Sequence, residues 1–185
     1  MNVLETDLKD VLILEPDVFA DERGFFMETY QQKRYVSEGI ETLFVQDNMS
    51  FSRNGTLRGM HYQFPNMQDK LVQVVEGEIF DVAVDIRYGS PTFGQWTGVY
   101  LSGDNRRQLF IPKGFAHGFC VTGSLAYVIY KCSDFYMPEH DAGIVWNDPD
   151  IGIDWPVSSP LVSEKDKRHP CLSDIPVDSL PSYNV

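Results

Sequence analysis

The sequence predicts an all-β fold, a jelly-roll barrel or sandwich with a few short helices. Three observations carry that expectation. Apolar runs of about four to eight residues recur along the chain, separated by Gly, Pro, Asn and Asp. Only residues 31–38 have a convincing helical pattern, and that segment is short. Finally, Pro112-Lys113-Gly114-Phe115-Ala116-His117 sets a proline and a glycine at a turn and then sends a histidine into a strand. A chain of 185 residues can bury a real core, and one domain spanning 1–185 is expected.

The strand series opens at residues 11–16, followed by 24–30 and 44–48. Residues 57–63 also read as β. Residues 71–75 and 79–85 flank Glu76-Gly77-Glu78, which reads as a hairpin turn. In the second of these strands Phe80, Val82 and Val84 share one face, while Asp81 and Asp85 fall on the other as on a half-buried strand. Further strands are expected at 97–101, 108–112, 115–121 and 126–133. From about 150 to 185 the chain is rich in Pro and Ser, so short helical turns and coil wrapped on the surface are expected.

Composition excludes several function classes. The net charge of -12, from 27 acidic against 15 basic residues, argues against nucleic acid or an anionic membrane as partner. Phosphate ligands remain open to arginines acting locally through bidentate geometry. No run approaches the ~20 apolar residues of a membrane span. Cys120, Cys132 and Cys171 are odd in number and widely spaced, as expected of free thiols in a reducing cytoplasm. The acidic N-terminus, Met1-Asn2-Val3-Leu4-Glu5-Thr6-Asp7, lacks the positive charge and apolar run of a signal peptide. A soluble cytoplasmic protein is the expectation.

Two segments hold half of the four histidines: Leu57-Arg58-Gly59-Met60-His61-Tyr62-Gln63 and residues 112–119. The Pro-x-Gly-x-x-His shape of the second is that of a cupin-type strand. A metal-binding cupin needs a His-x-His pair and a carboxylate, so that three or four ligands converge on one ion. Here Gln63 stands two residues after His61, and the next charged groups are Asp69 and Lys70. A protonated lysine donates and does not ligate. A site lined by His61, Lys70 and His117 is therefore suited to proton chemistry on an anionic substrate, with no metal and no cofactor.

The chain resembles the dTDP-4-dehydrorhamnose 3,5-epimerases along nearly its whole length. The segments that carry the resemblance are Asp21-Glu22-Arg23-Gly24-Phe25-Phe26, Gln46-Asp47-Asn48, residues 57–63, Gln68-Asp69-Lys70-Leu71, Phe93-Gly94-Gln95-Trp96, residues 111–118, Tyr130-Lys131-Cys132-Ser133-Asp134-Phe135-Tyr136 and Ser163-Glu164-Lys165-Asp166. The resemblance implies a dTDP-sugar substrate and epimerisation at C3 and C5, in dTDP-L-rhamnose biosynthesis for surface polysaccharide. It implies His61 as base with Asp166 as its partner, Tyr130 as the opposing acid and Lys70 beside the C4 oxygen. Substrate contacts implied in the same way are Arg23, Phe26, Glu28, Gln46, Asp47, Asn48, Arg58 on the pyrophosphate, His117, Tyr136 stacked on thymine, Asp141 and Lys165. At the Asp141 position the family more often has Glu. The family is homodimeric with N-terminal β structure shared between subunits, so Arg23 and Phe26 are expected to serve a neighbour's site. Phe25 and Phe26 are expected to be partly core, with one against the base. Lys131, Tyr127, Ile129, His140 and His169 are given no role, and Cys132 is read as inert packing.

Three alternatives stay open at this level. Inversion at C3 alone, or ketoisomerase activity in another deoxysugar pathway, uses the same acid/base pair. A metal cupin is disfavoured by Gln63 and Lys70. A non-catalytic sugar-nucleotide binder would keep Arg58 and Tyr136 without needing His61, Asp166 and Tyr130 together.

Overall fold

A computed structural model describes residues 1–183. Twelve strands follow one another: β1 (Asn2–Glu5), β2 (Leu12–Glu15), β3 (Val18–Asp21), β4 (Gly24–Met27), β5 (Gln46–Arg53), β6 (Thr56–Gln63), β7 (Lys70–Asp85), β8 (Trp96–Ser102), β9 (Gln108–Ile111), β10 (Phe115–Cys132), β11 (Asp141–Gly143) and β12 (Leu161–Val162). The helix α1 (Gln32–Ser37) lies between β4 and β5, and the Gln31 side chain caps it by accepting from the Arg34 amide. The expected all-β class is what the chain adopts. Ten strands form one sheet, and β3 and β4 form a separate hairpin.

The ten-stranded sheet is folded into two layers by its two longest strands. The first half of β7 pairs with β9 and with the second half of β10, which in turn pairs with β5. The second half of β7 pairs with β8 and with the first half of β10, which in turn pairs with β6. Both strands therefore pass from one layer to the other, with register shifts between Val121 and Ala126 and between Tyr127 and Val128.

This topology corrects the expected hairpin at Glu76-Gly77-Glu78. Gly77 sits at φ +85°, and a Cβ there would lie 1.8 Å from the Leu125 carbonyl oxygen. The glycine is present because two backbones touch at the corner, and the strand continues through it. For the same reason the two expected strands 115–121 and 126–133 are one strand.

Between the layers lies the main core. Val72, Val74, Leu109, Ile111 and Val128 meet Ile79, Ala83, Leu101, Phe115, Phe119 and Val121, with Tyr130 half-buried against them. Ile79 and Ala83 alternate with Asp81 and Asp85, so both carboxylates face inward and are fully buried. The reading of these aspartates as a solvent face is thereby overturned. The other face of this stretch, Phe80, Val82 and Val84, is covered by Ile151, Leu172 and Leu180 of the C-terminal segment. That segment runs through 3₁₀ turns at Asp166–Arg168, Leu172–Asp174 and Val177–Ser179. Because the tail covers one face and the opposite layer covers the other, residues 79–85 of β7 are buried on both sides.

Phe25 and Phe26 are a second correction. They are 54% and 69% exposed on the β3–β4 hairpin, where Phe19 is also exposed, and neither is core. Arg106 stacks on the Phe25 ring at 4.2 Å. All three cysteines are free thiols.

Candidate active site

His61 and His117 are directly opposite each other in the register of β6 and β10. Such closeness requires small residues where the strands meet. A Cβ on Gly59 would come within 2.6 Å of the Gly118 Cα, so only glycine allows this approach. A register shift between His117 and Phe119 completes the local geometry.

Each histidine has its own carboxylate. His61 Nε2 lies 2.8 Å from Asp166 Oδ1, and Asp166 Oδ2 accepts from the Gly59 amide at 3.2 Å. Burial alone would raise the Asp166 carboxyl. The hydrogen bond and charge of His61 and the Gly59 N–H outweigh it and hold the group at about 2. The stability contributed by this carboxylate is therefore present above its unfolded pKa of ~3.9 and is lost only as pH falls toward about 2. With Asp166 accepting from Nε2–H, Nδ1 is left as the free ring nitrogen of His61.

The second pair is His117 Nε2 and Asp81 Oδ1, 2.5 Å apart between the layers. Burial lowers the His117 pKa, Asp81 opposes that, and Lys70 and His61 add to the lowering. Asp81 Oδ2 is buried without a hydrogen-bond partner. Sequence reasoning missed Asp81 by reading it as solvent-facing. Its alternation with the apolar Ile79 and Ala83 does not by itself tell a solvent face from a second layer, because Phe80, Val82 and Val84 make the other face apolar as well.

Two cavities meet at this point. One, of about 170 Å³, is lined by Arg58, His61, Lys70, His117 and Tyr130 among others. The other, of about 380 Å³, is lined by Gln46, Asn48, His61, Lys70, Tyr130 and Tyr136, with Asp141 and Lys165 also on its wall. His61, Lys70 and Tyr130 line both. Burial lowers the Lys70 pKa against the pull of Cys132, Asp81 and Asp141. Burial raises the Tyr130 phenol, Cys132 and Tyr136 add to this, and Arg58 opposes it. Burial thus favours the neutral form of both groups at the point where the cavities meet. The buried Cys132 thiol on the same wall is pushed up by burial and stays protonated.

The wider wall is held by polar braces. Gln63 donates to the carbonyls of Asn66 at 2.9 Å and Phe135 at 3.2 Å, and accepts from the Met137 amide at 2.8 Å. Gln68 donates to the Asp134 carbonyl at 2.8 Å. These two glutamines tie residues 64–68 to residues 134–137, a positioning role that single-residue motif reading did not assign. Gln46 accepts from the Tyr136 amide at 2.9 Å. Tyr136 Oη donates to Asp141 Oδ2 at 2.9 Å, and Lys165 is ion-paired to the same oxygen. Arg58 is steadied by Ser52 Oγ at 2.9 Å and the Phe51 carbonyl at 3.2 Å.

Four expected binding residues lie outside these cavities. Arg23 is paired with Asp21 at the tip of the β3–β4 hairpin. Phe26 and Glu28 line a separate cavity with Phe19 and Arg34. Asp47 pairs with Lys131 at 2.8 Å and lines a fourth cavity, of about 390 Å³, with Leu71, Gln73 and Ile129; this cavity shares Asn48 and Tyr130 with the first two. Conversely, His169, which had been given no role, stands beside the first pair, its ring centroid 5.8 Å from that of His61.

Comparison with known proteins gives the family. A family model described as dTDP-4-dehydrorhamnose 3,5-epimerase matches residues 5–174. The dTDP-4-dehydrorhamnose 3,5-epimerase of Shigella flexneri is 57% identical over 168 residues, covering 90% of this chain and 93% of that protein. A Neisseria gonorrhoeae protein of the same name is 56% identical over 167 residues, and the chain spans about half of its length, 51%. Among solved structures, the dTDP-6-deoxy-D-glucose-3,5-epimerase of Legionella pneumophila Philadelphia 1, in complex with dTDP-4-keto-L-rhamnose, superposes with a TM-score of 0.97 at 52% identity, covering 100% of this chain and 99% of that one. With the match extending over almost every strand that shapes the cavities, the chain belongs to the dTDP-4-dehydrorhamnose 3,5-epimerase family.

Proposed function

We propose that the chain converts dTDP-4-dehydro-6-deoxy-D-glucose to dTDP-4-dehydro-L-rhamnose by metal-free acid/base chemistry, as a step of dTDP-L-rhamnose biosynthesis. The observation that carries this reading is that His61, Lys70 and Tyr130 line both cavities at their meeting point, with His61 braced by an ionised Asp166. C3 and C5 flank the C4 ketone, so removing either proton gives an enolate. Inversion requires the proton to leave one face and return to the other. His61 Nδ1 takes the proton, and Asp166 stabilises the imidazolium through Nε2–H. Lys70 neutralises charge at the C4 oxygen, a contact whose loss typically costs about 3 kcal/mol. Tyr130 delivers the proton on the opposite face. The test is incubation with the substrate and determination of product stereochemistry by NMR. Inversion at both carbons is expected, whereas inversion at C3 alone would place the enzyme in another deoxysugar pathway.

Arg58 and Tyr136 are assigned to the pyrophosphate and the thymine. Positions on the two cavity walls support this, because every base offers a π-face to an exposed tyrosine. Gln46, Asn48, His117, Asp141 and Lys165 complete the substrate contacts within the chain. Arg58→Lys is expected to weaken dTDP binding about tenfold, since an ammonium cannot reproduce the bidentate guanidinium fork. Calorimetric titration with dTDP checks this, and unchanged affinity would return Arg58 to a surface charge.

Arg23 and Phe26 are proposed to act across a homodimer, and the exposed Phe19, Phe25 and Phe26 on one hairpin support a partner-facing role. One domain over 1–185 and a cytoplasmic location complete the reading, supported by the shared layers and by three free thiols. Among the described residues no helix is long and apolar enough to cross a membrane.

A further inference from the structure

We propose that His61, Asp166 and His169 form an inhibitory site for a zinc ion, which captures the catalytic base and switches the enzyme off. One ligand atom from each residue lies within 4.8 Å of the others. His61 Nε2 is 2.8 Å and His169 Nε2 is 3.8 Å from the same Asp166 oxygen. Ligand atoms of a tetrahedral zinc site stand about 3.3 Å apart, given metal–nitrogen distances of about 2.0–2.1 Å. Two sides of the triangle differ from that by about half an ångström and the third, at up to 4.8 Å, by up to about 1.5 Å, so rotation of the two imidazoles closes it around an ion.

His169 is the informative member. Its Nε2 is buried and has no hydrogen-bond partner, an arrangement that polar atoms in folded chains seldom tolerate. The ring lies against Gly143, where an added Cβ would come within 2.6 Å of Nε2, so it is seated closely. Asp166 opens the 3₁₀ turn Asp166–Arg168 and His169 follows it directly. Residues three apart superimpose along such a turn, so Asp166 and His169 face the same strand, β6, from one side. His61 is the most exposed of the three, 33% against 12% for His169 and 5% for Asp166, so an ion reaches the group from the His61 side. Two imidazoles and a carboxylate suit zinc.

The consequence for catalysis follows from proton bookkeeping. Nε2 of His61 binds a metal only through its lone pair, so the ring proton moves to Nδ1. Nδ1 then becomes a donor and can no longer accept a proton from C3 or C5. This inhibitory effect rests on the reading of His61 as the base, whereas the binding does not.

Equilibrium dialysis of chelator-stripped protein against zinc chloride is expected to show one zinc bound tightly per chain, with affinity reduced at least tenfold in His169→Gln. Activity of the wild type is expected to fall about tenfold at zinc ten times above its dissociation constant and to return with chelator. His169→Gln, which lies outside the catalytic set, keeps its activity at that concentration. Cobalt(II) bound to the wild type gives a second readout independent of the variant's folding, through the intense visible bands of a four-coordinate ion. Equal zinc affinity in both proteins, no saturable binding, or only the weak bands of six-coordinate cobalt would overturn the proposal. Binding as expected with no loss of activity would uphold the site and sink His61 as the base.

Discussion

Exchange of the C3 and C5 protons with solvent is expected to fall about a thousandfold or more in His61→Ala, the upper part of the range for removing a general base. Affinity for dTDP should change little. The separation follows from where the side chain sits: its Nε2 is occupied by Asp166, and Arg58 and Tyr136 are held by contacts that do not involve His61. Stability should fall in part, because the buried Asp166 loses the partner that offsets its desolvation, although no void opens inside the main core. The leftover Asp166 carboxylate still accepts from the Gly59 amide. Exchange in D₂O followed by proton NMR, with dTDP titration on the same sample, gives both quantities. Retention of more than a few per cent of wild-type exchange would remove His61 from its role.

Tyr130→Phe is expected to separate two steps that run together in the wild type. The substitution deletes one oxygen and keeps the ring that packs half-buried against the core between the layers, so folding should change little. His61 still abstracts a proton and returns a solvent deuteron to the same face. Without the phenol the opposite face has no donor. Deuterium uptake into unchanged substrate should therefore outrun formation of inverted product by at least about a hundredfold, the low end of what a positioned acid contributes. A loosely folded variant would lose both together, which makes the ratio more informative than either rate. If inversion kept pace with uptake, Tyr130 would be a core aromatic and the donor would lie elsewhere.

The parts of this site that the sequence exposes are those where one residue type has one use. Pro112, Gly114 and His117 announce a strand entering a barrel, and Gln63 after His61 departs from the His-x-His pair of a metal cupin. What stayed hidden depends on which side of a strand faces what. Asp81 alternates with apolar residues in the same way whether it meets water or a second layer, and only the tail covering Phe80, Val82 and Val84 decides it. Glu76-Gly77-Glu78 has the composition of a turn. Its glycine in fact answers to Leu125, 48 positions later in the chain, a contact that local spacing does not reveal. His169 is three residues from Asp166, a spacing that becomes informative only once the segment is known to be a 3₁₀ turn. Arg23, Phe26, Glu28 and Asp47 came from family resemblance, and one chain does not bring them to the cavities.

The most direct test follows the wild-type enzyme in D₂O with chelator present and reads each carbon of the product by NMR. The account predicts deuterium at both C3 and C5, inverted configuration at both, and full activity without metal. Deuterium at one carbon only, or turnover that stops until a metal is restored, would contradict a single metal-free cavity in which His61 and Tyr130 act from opposite faces.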